Sequence, residues 1–130
     1  MIYGIGIDLV NIKRMEKVID RWDKRFISRV FTADEIDTCR KRAYPPSSYS
    51  LRFAAKEAFS KALGLGMKEG IKWRDIEVFN FPGGRPGLRV HGRSSEICIE
   101  NNITGLHLSL SDDGDYGTAM VVLEKSHEAG

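Results

Sequence analysis

Arg52-Phe-Ala-Ala-Lys-Glu-Ala-Phe-Ser-Lys-Ala-Leu-Gly64 joins strong helix formers to a carboxylate and amines at spacings that packing does not require. Leu51, Ala55, Ala58, Phe59 and Ala62 recur at i, i+4, i+7, i+8 and i+11, an apolar stripe that faces a core. Glu57 and Lys61 stand one turn apart on a neighbouring flank. As a surface pair they would contribute only about 0.2–0.5 kcal/mol. A carboxylate and an ammonium so placed can also hold a metal and a phosphate, and the flanking segments bear on which reading applies.

Toward the N-terminus, Met1-Ile-Tyr-Gly-Ile-Gly-Ile-Asp-Leu-Val10 reads as a largely apolar strand carrying one acid, Asp8. A carboxylate drawn out of water must be matched by a cation, by hydrogen bonds or by a metal, which makes Asp8 a candidate site residue. Near the other end, Gly105-Leu-His-Leu-Ser-Leu-Ser111 alternates. Leu106, Leu108 and Leu110 fall on one face and His107, Ser109 and Ser111 on the other, the period of a half-buried strand with a polar face. Asp112-Asp-Gly-Asp115 supplies a turn, and residues 116–123 read as the returning strand of a hairpin.

Between these segments, Asn11 caps a helix expected through about Trp22, with Ile12, Met15, Ile19 and Trp22 turned inward. Thr32-Ala-Asp-Glu35 has the form of a capping box, so Glu35 is structural and begins a helix toward Arg42. Tyr44-Pro-Pro-Ser-Ser48 breaks that helix, Ser47 or Ser48 opens the long one, and residues 64–70 form a glycine-rich loop suited to lie over a ligand or partner. Residues 76–81 and 88–90 read as strands about a Pro-Gly turn, and residues 94–102 as a short helix. No repeat or linker divides the chain. Residues 1–130 are therefore expected to form a single α+β domain, an antiparallel sheet packed on a long helix.

At 42% hydrophobic and 29% charged residues the chain suits a compact domain with a modest core. No apolar run has transmembrane length, and the first strand lacks the composition of a signal peptide, so a cytoplasmic protein is expected. Cys39 and Cys98 have no metal-type spacing and read as free thiols. Charge is uneven. Residues 11–30 hold seven Lys or Arg against Glu16, Asp20 and Asp23, while the whole chain carries only +2. Arg14, Lys17 and Arg21 share one helical face, and Lys24, Arg25 and Arg29 surround Phe26. A solvated face, a nucleic-acid patch and a surface for an acidic protein are all compatible with such a run.

With Gly-Ile-Asp near its start, the Arg52–Gly64 motif in its middle and His-Leu-Ser-Leu-Ser before a C-terminal hairpin, the chain resembles the 4'-phosphopantetheinyl transferases, over residues 1 to about 124. The resemblance implies Mg²⁺-dependent transfer of 4'-phosphopantetheine from coenzyme A to a serine of apo-acyl-carrier protein, in fatty-acid biosynthesis. It also implies a homotrimer with active sites between subunits, and neither nucleic acid nor membrane as partner. Mg²⁺ prefers oxygen ligands, so Asp8 and Glu57 are its implied ligands, with Glu57 and Lys61 catalytic and Lys61 on the phosphates. His107, Arg52 and Ser109 are implied coenzyme A contacts, with Ser111 as a further candidate; Arg52 and Lys56 could each bind the 3'-phosphate or the carrier protein, or be a solvated cation. Asp112 departs from the residue some relatives carry after the Ser pair. The acidic carrier would dock on Arg14, Arg21 and Arg25 beside an exposed Phe26. The proton acceptor is left open between Glu57 and Asp8. A Ser109-His107-Asp112 hydrolase is set aside, because one strand does not give that geometry. Two other readings are a noncatalytic nucleic-acid module and a structural trimer whose Asp8 and Glu57 only pair with cations.

Overall fold

The computed structural model describes residues 1–126. Strand β1 (Ile2–Asn11) leads into helix α1 (Ile12–Val30), followed by α2 (Ala33–Arg40) and the long α3 (Pro45–Leu63). A 3₁₀ turn (Trp73–Asp75) then opens the hairpin β2 (Ile76–Asn80) and β3 (Pro86–Val90), and α4 (Gly92–Glu100) precedes the second hairpin, β4 (Ile103–Asp112) and β5 (Tyr116–Lys125). The sheet order is β1-β5-β4, antiparallel throughout, with β2-β3 a separate two-stranded ribbon. The expected α+β class and antiparallel sheet packed on a long helix are what is found.

Helix α3 lies across one face of the three-stranded sheet, and the approach is set by two glycines of β1. A Cβ on Gly4 would stand 2.0 Å from the Ala62 carbonyl oxygen, and one on Gly6 would stand 1.9 Å from that of Ala58. No side chain fits there, so the strand backbone lies directly on the helix. Ala55, Ala58, Phe59 and Ala62 are buried as their spacing predicted, against Ala119, Val121 and Leu123 of β5. Gly64 closes α3 in the left-handed conformation at φ 81°.

Four expectations need correcting. Helix α1 does not end at Trp22; it continues to Val30 across a break at Asp23, whose φ of 37° interrupts the helical path. Trp22 is 47% exposed rather than inward. Helix α3 begins at Pro45, since a proline at the first helical positions gives up only an N–H that would be unpaired anyway. Lys56 is neither a phosphate ligand nor a solvated cation. It is fully buried, and its ammonium donates to Glu35 Oε1 at 2.7 Å and to the carbonyl oxygens of Trp73 and Ile76. Glu35 also accepts the Thr32 and Val78 N–H groups, so the capping box reaches into the core and ties α2, α3 and β2 together. Burial pulls the Lys56 ammonium below its usual range, an effect the Glu35 carboxylate opposes.

Candidate active site

Asp8 comes from β1 and Glu57 and Lys61 from α3, and the glycine-mediated contact of these elements brings the three together. Lys61 Nζ donates to Asp8 Oδ1 at 2.9 Å and to the Ile7 carbonyl at 3.0 Å. Partial burial raises the Glu57 carboxyl above its ordinary value, the Asp8 charge raises it further, and Lys61 partly offsets both. Two carboxylates thus border one groove, and the Lys61 ammonium is paired with one of them. Among the described residues no three His, Cys, Asp or Glu side chains converge as a ready metal cage. Two hard oxygen donors suit Mg²⁺, which keeps waters and is completed by substrate phosphate.

Beside this pair runs a groove of about 370 Å³ between β1, α1 and α3, bordered by Asp8, Glu57, Arg14, Phe26 and Phe53. Phe26 is partly buried rather than exposed, its ring 6.1 Å from Phe31 and 6.2 Å from Phe53. Arg21 lies over the Trp22 ring at 5.1 Å, and Arg25 borders a separate hollow farther along α1.

A second groove, of about 640 Å³, opens on the β4 side between the start of α3 and the β2-β3 hairpin. Arg42, Arg52 and Arg85 border it, with Asn80, Ser109 and Asp112. The Arg52 guanidinium is buried; it donates to Ser48 Oγ at 2.7 Å and to Asn80 Oδ1 at 3.2 Å, while its Nε has no partner. No carboxylate pairs with it among the described residues. A buried cation without a counter-ion is costly, and its position at the wall of a groove suits a bound anion.

The residues picked from sequence therefore divide. Asp8, Glu57 and Lys61 meet, with Arg14 and Phe26 on the same groove. Arg52 and Ser109 belong to the second groove. His107 reaches neither: it lies on the outer face of the sheet, paired with Glu124. Arg42, Arg85 and Asn80 were missed. The Pro82-Gly-Gly-Arg-Pro-Gly87 turn marked a hairpin, but its facing the start of α3 depends on contacts far apart in sequence.

The family model described as the 4'-phosphopantetheinyl transferase superfamily matches residues 4–121. A holo-acyl-carrier-protein synthase from Syntrophus aciditrophicus is 48% identical over 124 residues, covering 95% of this chain and 97% of its own length. Among solved structures, the holo-acyl-carrier-protein synthase from Neisseria meningitidis superposes with a TM-score of 0.90 at 35% identity, covering 96% of this chain and all of its own. The enzyme from Bacillus anthracis, in complex with CoA (3',5'-ADP), has a TM-score of 0.80 at 36% identity, covering 97% and 99%.

Proposed function

Because the chain belongs to the 4'-phosphopantetheinyl transferase superfamily, we infer that it is a holo-acyl-carrier-protein synthase, which moves 4'-phosphopantetheine from coenzyme A to a serine of apo-acyl-carrier protein. The observation that carries this reading is the meeting of Asp8, Glu57 and Lys61 where β1 crosses α3. The serine Oγ forms a bond to the phosphorus that bears pantetheine, the bond from that phosphorus to the bridging oxygen breaks, and adenosine 3',5'-bisphosphate leaves. Asp8 and Glu57 would hold Mg²⁺, which when bound supplies positive charge to the pyrophosphate. Lys61, paired with Asp8 in this structure, would supply its ammonium to the phosphate oxygens. Glu57 is the proton acceptor we favour, since partial burial and the Asp8 charge raise its carboxyl above the ordinary value and a more basic carboxylate is the better base. The cation-rich groove around Arg52 suits the nucleotide phosphates, and Ser109 on its border could hydrogen-bond the nucleotide.

The homotrimer, and sites shared between its subunits, belong to the same proposal. The sheet face opposite α3 is bare: Ile7 and Leu9 are 61% and 63% exposed, with Ile5 and Met120 beside them. Such a contiguous apolar surface favours burial against copies of itself. The carboxylate pair opens on the β1 side of the sheet and the arginine groove on the β4 side, sharing no bordering residue. In a closed ring, β1 of one subunit would approach β4 of the next, and His107 would reach coenzyme A across that boundary. Carrier docking falls to Arg14, Arg21 and Arg25 around Phe26. No helix among the described residues is long and apolar enough to cross a membrane, and the two buried cysteines stand free, which favours a cytoplasmic setting. Chromatography of the nucleotide product tests the assignment: adenosine 3',5'-bisphosphate should appear only when apo-acyl-carrier protein, coenzyme A and Mg²⁺ are all present. Its release without the carrier would point to a hydrolase.

A further inference from the structure

The stripe on α1 leaves a second cationic surface unexplained. Beyond Phe26 lies a trough made of two adjoining hollows, of about 760 Å³ and 550 Å³, both bordered by Arg29 and Arg74. Trp22, Arg25, Phe26 and Ser28 complete the first. Arg25, Arg29 and Arg74 are all exposed, and none forms an ion pair among the described residues. The carboxylate on this border, Asp75, accepts the Lys72 N–H at 3.2 Å. Arg74 does not belong to α1. It comes from the Trp73–Asp75 turn, held in place because the Trp73 ring stacks on Phe53 at 5.0 Å and 23°. The break at Asp23 redirects the second half of α1, which then packs against this turn. Phe26 borders both this trough and the groove containing Asp8 and Glu57, so the two lie next to each other.

Three unpaired like charges repel one another and gain from an anionic partner. A stripe on a single helix leaves an acidic partner free to roll about the helix axis. A cation set off that axis on another element removes the freedom and fixes how the partner's reacting group is presented. We propose that Arg74 is a docking residue for the acyl carrier protein, its charge and Arg29 receiving an acidic helical segment while Phe26 and Trp22 supply the apolar floor. This rests on the carrier-docking reading above, in which Arg14, Arg21 and Arg25 meet the same protein.

Steady-state kinetics of Arg74→Glu, Arg74→Lys and Arg14→Glu, each with apo-acyl-carrier protein and coenzyme A varied in turn, test it. Arg74→Glu should raise KM for the carrier about tenfold, leave KM for coenzyme A unchanged and flatten the dependence of carrier KM on salt, while Arg74→Lys keeps most of the parent behaviour. Circular dichroism matching the parent shows that the fold is intact. If Arg74→Glu behaves as the parent while Arg14→Glu is impaired, the Arg74 assignment is wrong and docking on α1 stands. If both behave as the parent, both fall. An equal rise in KM for coenzyme A would also overturn the proposal, since Arg74 would then act through the nucleotide site. So would a labelled single-stranded oligonucleotide that the parent binds and Arg74→Glu loses while carrier kinetics hold.

Discussion

Glu57 answers two opposing demands. To hold a cation beside Asp8 it must be ionised, yet partial burial and the Asp8 charge make ionisation unfavourable in the metal-free protein. The folded state therefore keeps a proton on Glu57 to higher pH than the unfolded chain does. Stability is lost as pH rises from the ordinary carboxylate value through the raised one. Glu57→Gln should thus melt roughly a degree or two above the parent in chelator at pH 7, a small gain because the site is partly open to water, and should match the parent at pH 4. The same variant should lose Mg²⁺ affinity, and the parent's affinity should fall on acidification from above the usual carboxylate range. Scanning calorimetry and metal titration across pH check both. A Glu57→Gln protein less stable than the parent at pH 7 would mean that the carboxylate serves packing rather than the site.

The contact of β1 with α3 does most to build the site, and it was only partly legible. The apolar stripe of α3 and the alternation of β4 follow from side-chain periodicity, which sequence displays directly. That Gly4 and Gly6 let β1 lie on the helix backbone depends on a contact between segments over fifty residues apart, and a glycine carries no periodic signal for it. Gly6→Ala should cost about 3 kcal/mol, because the added methyl group meets a backbone carbonyl that cannot move without shifting α3. Asp8 would shift with the strand, so activity should fall as well. Gly83→Ala, in open space at a permissive φ, is the control and should be near neutral by urea denaturation. Equal stability of the two variants would remove the close approach as the positioning device. Lys56 was misread for a related reason: a lysine in a helix signals surface until its partner is known, and Glu35 lies 21 residues away.

At the scale of the whole molecule, the bare face of the sheet was visible in β1 only as apolar continuity, since Ile5, Ile7 and Leu9 look like core residues until α3 is seen to cover the other side. Ile7→Glu should convert a particle of about three chains into monomers by light scattering and abolish transfer without unfolding the protein. A fully active Ile7→Glu monomer would place the complete site within one subunit. The three sequence blocks that carried the family resemblance hold the acids and the amine of the site and, through Arg52 and Ser109, part of the arginine groove, whose bordering residues Arg42, Asn80 and Arg85 lie outside those blocks. The central claim is tested most directly by the intact mass of apo-acyl-carrier protein after incubation with this chain, coenzyme A and Mg²⁺. The account predicts a gain of one phosphopantetheine arm with the parent and none with Asp8→Ala or Glu57→Ala over the same time. An unmodified carrier with the parent, or full modification by either variant, would contradict it.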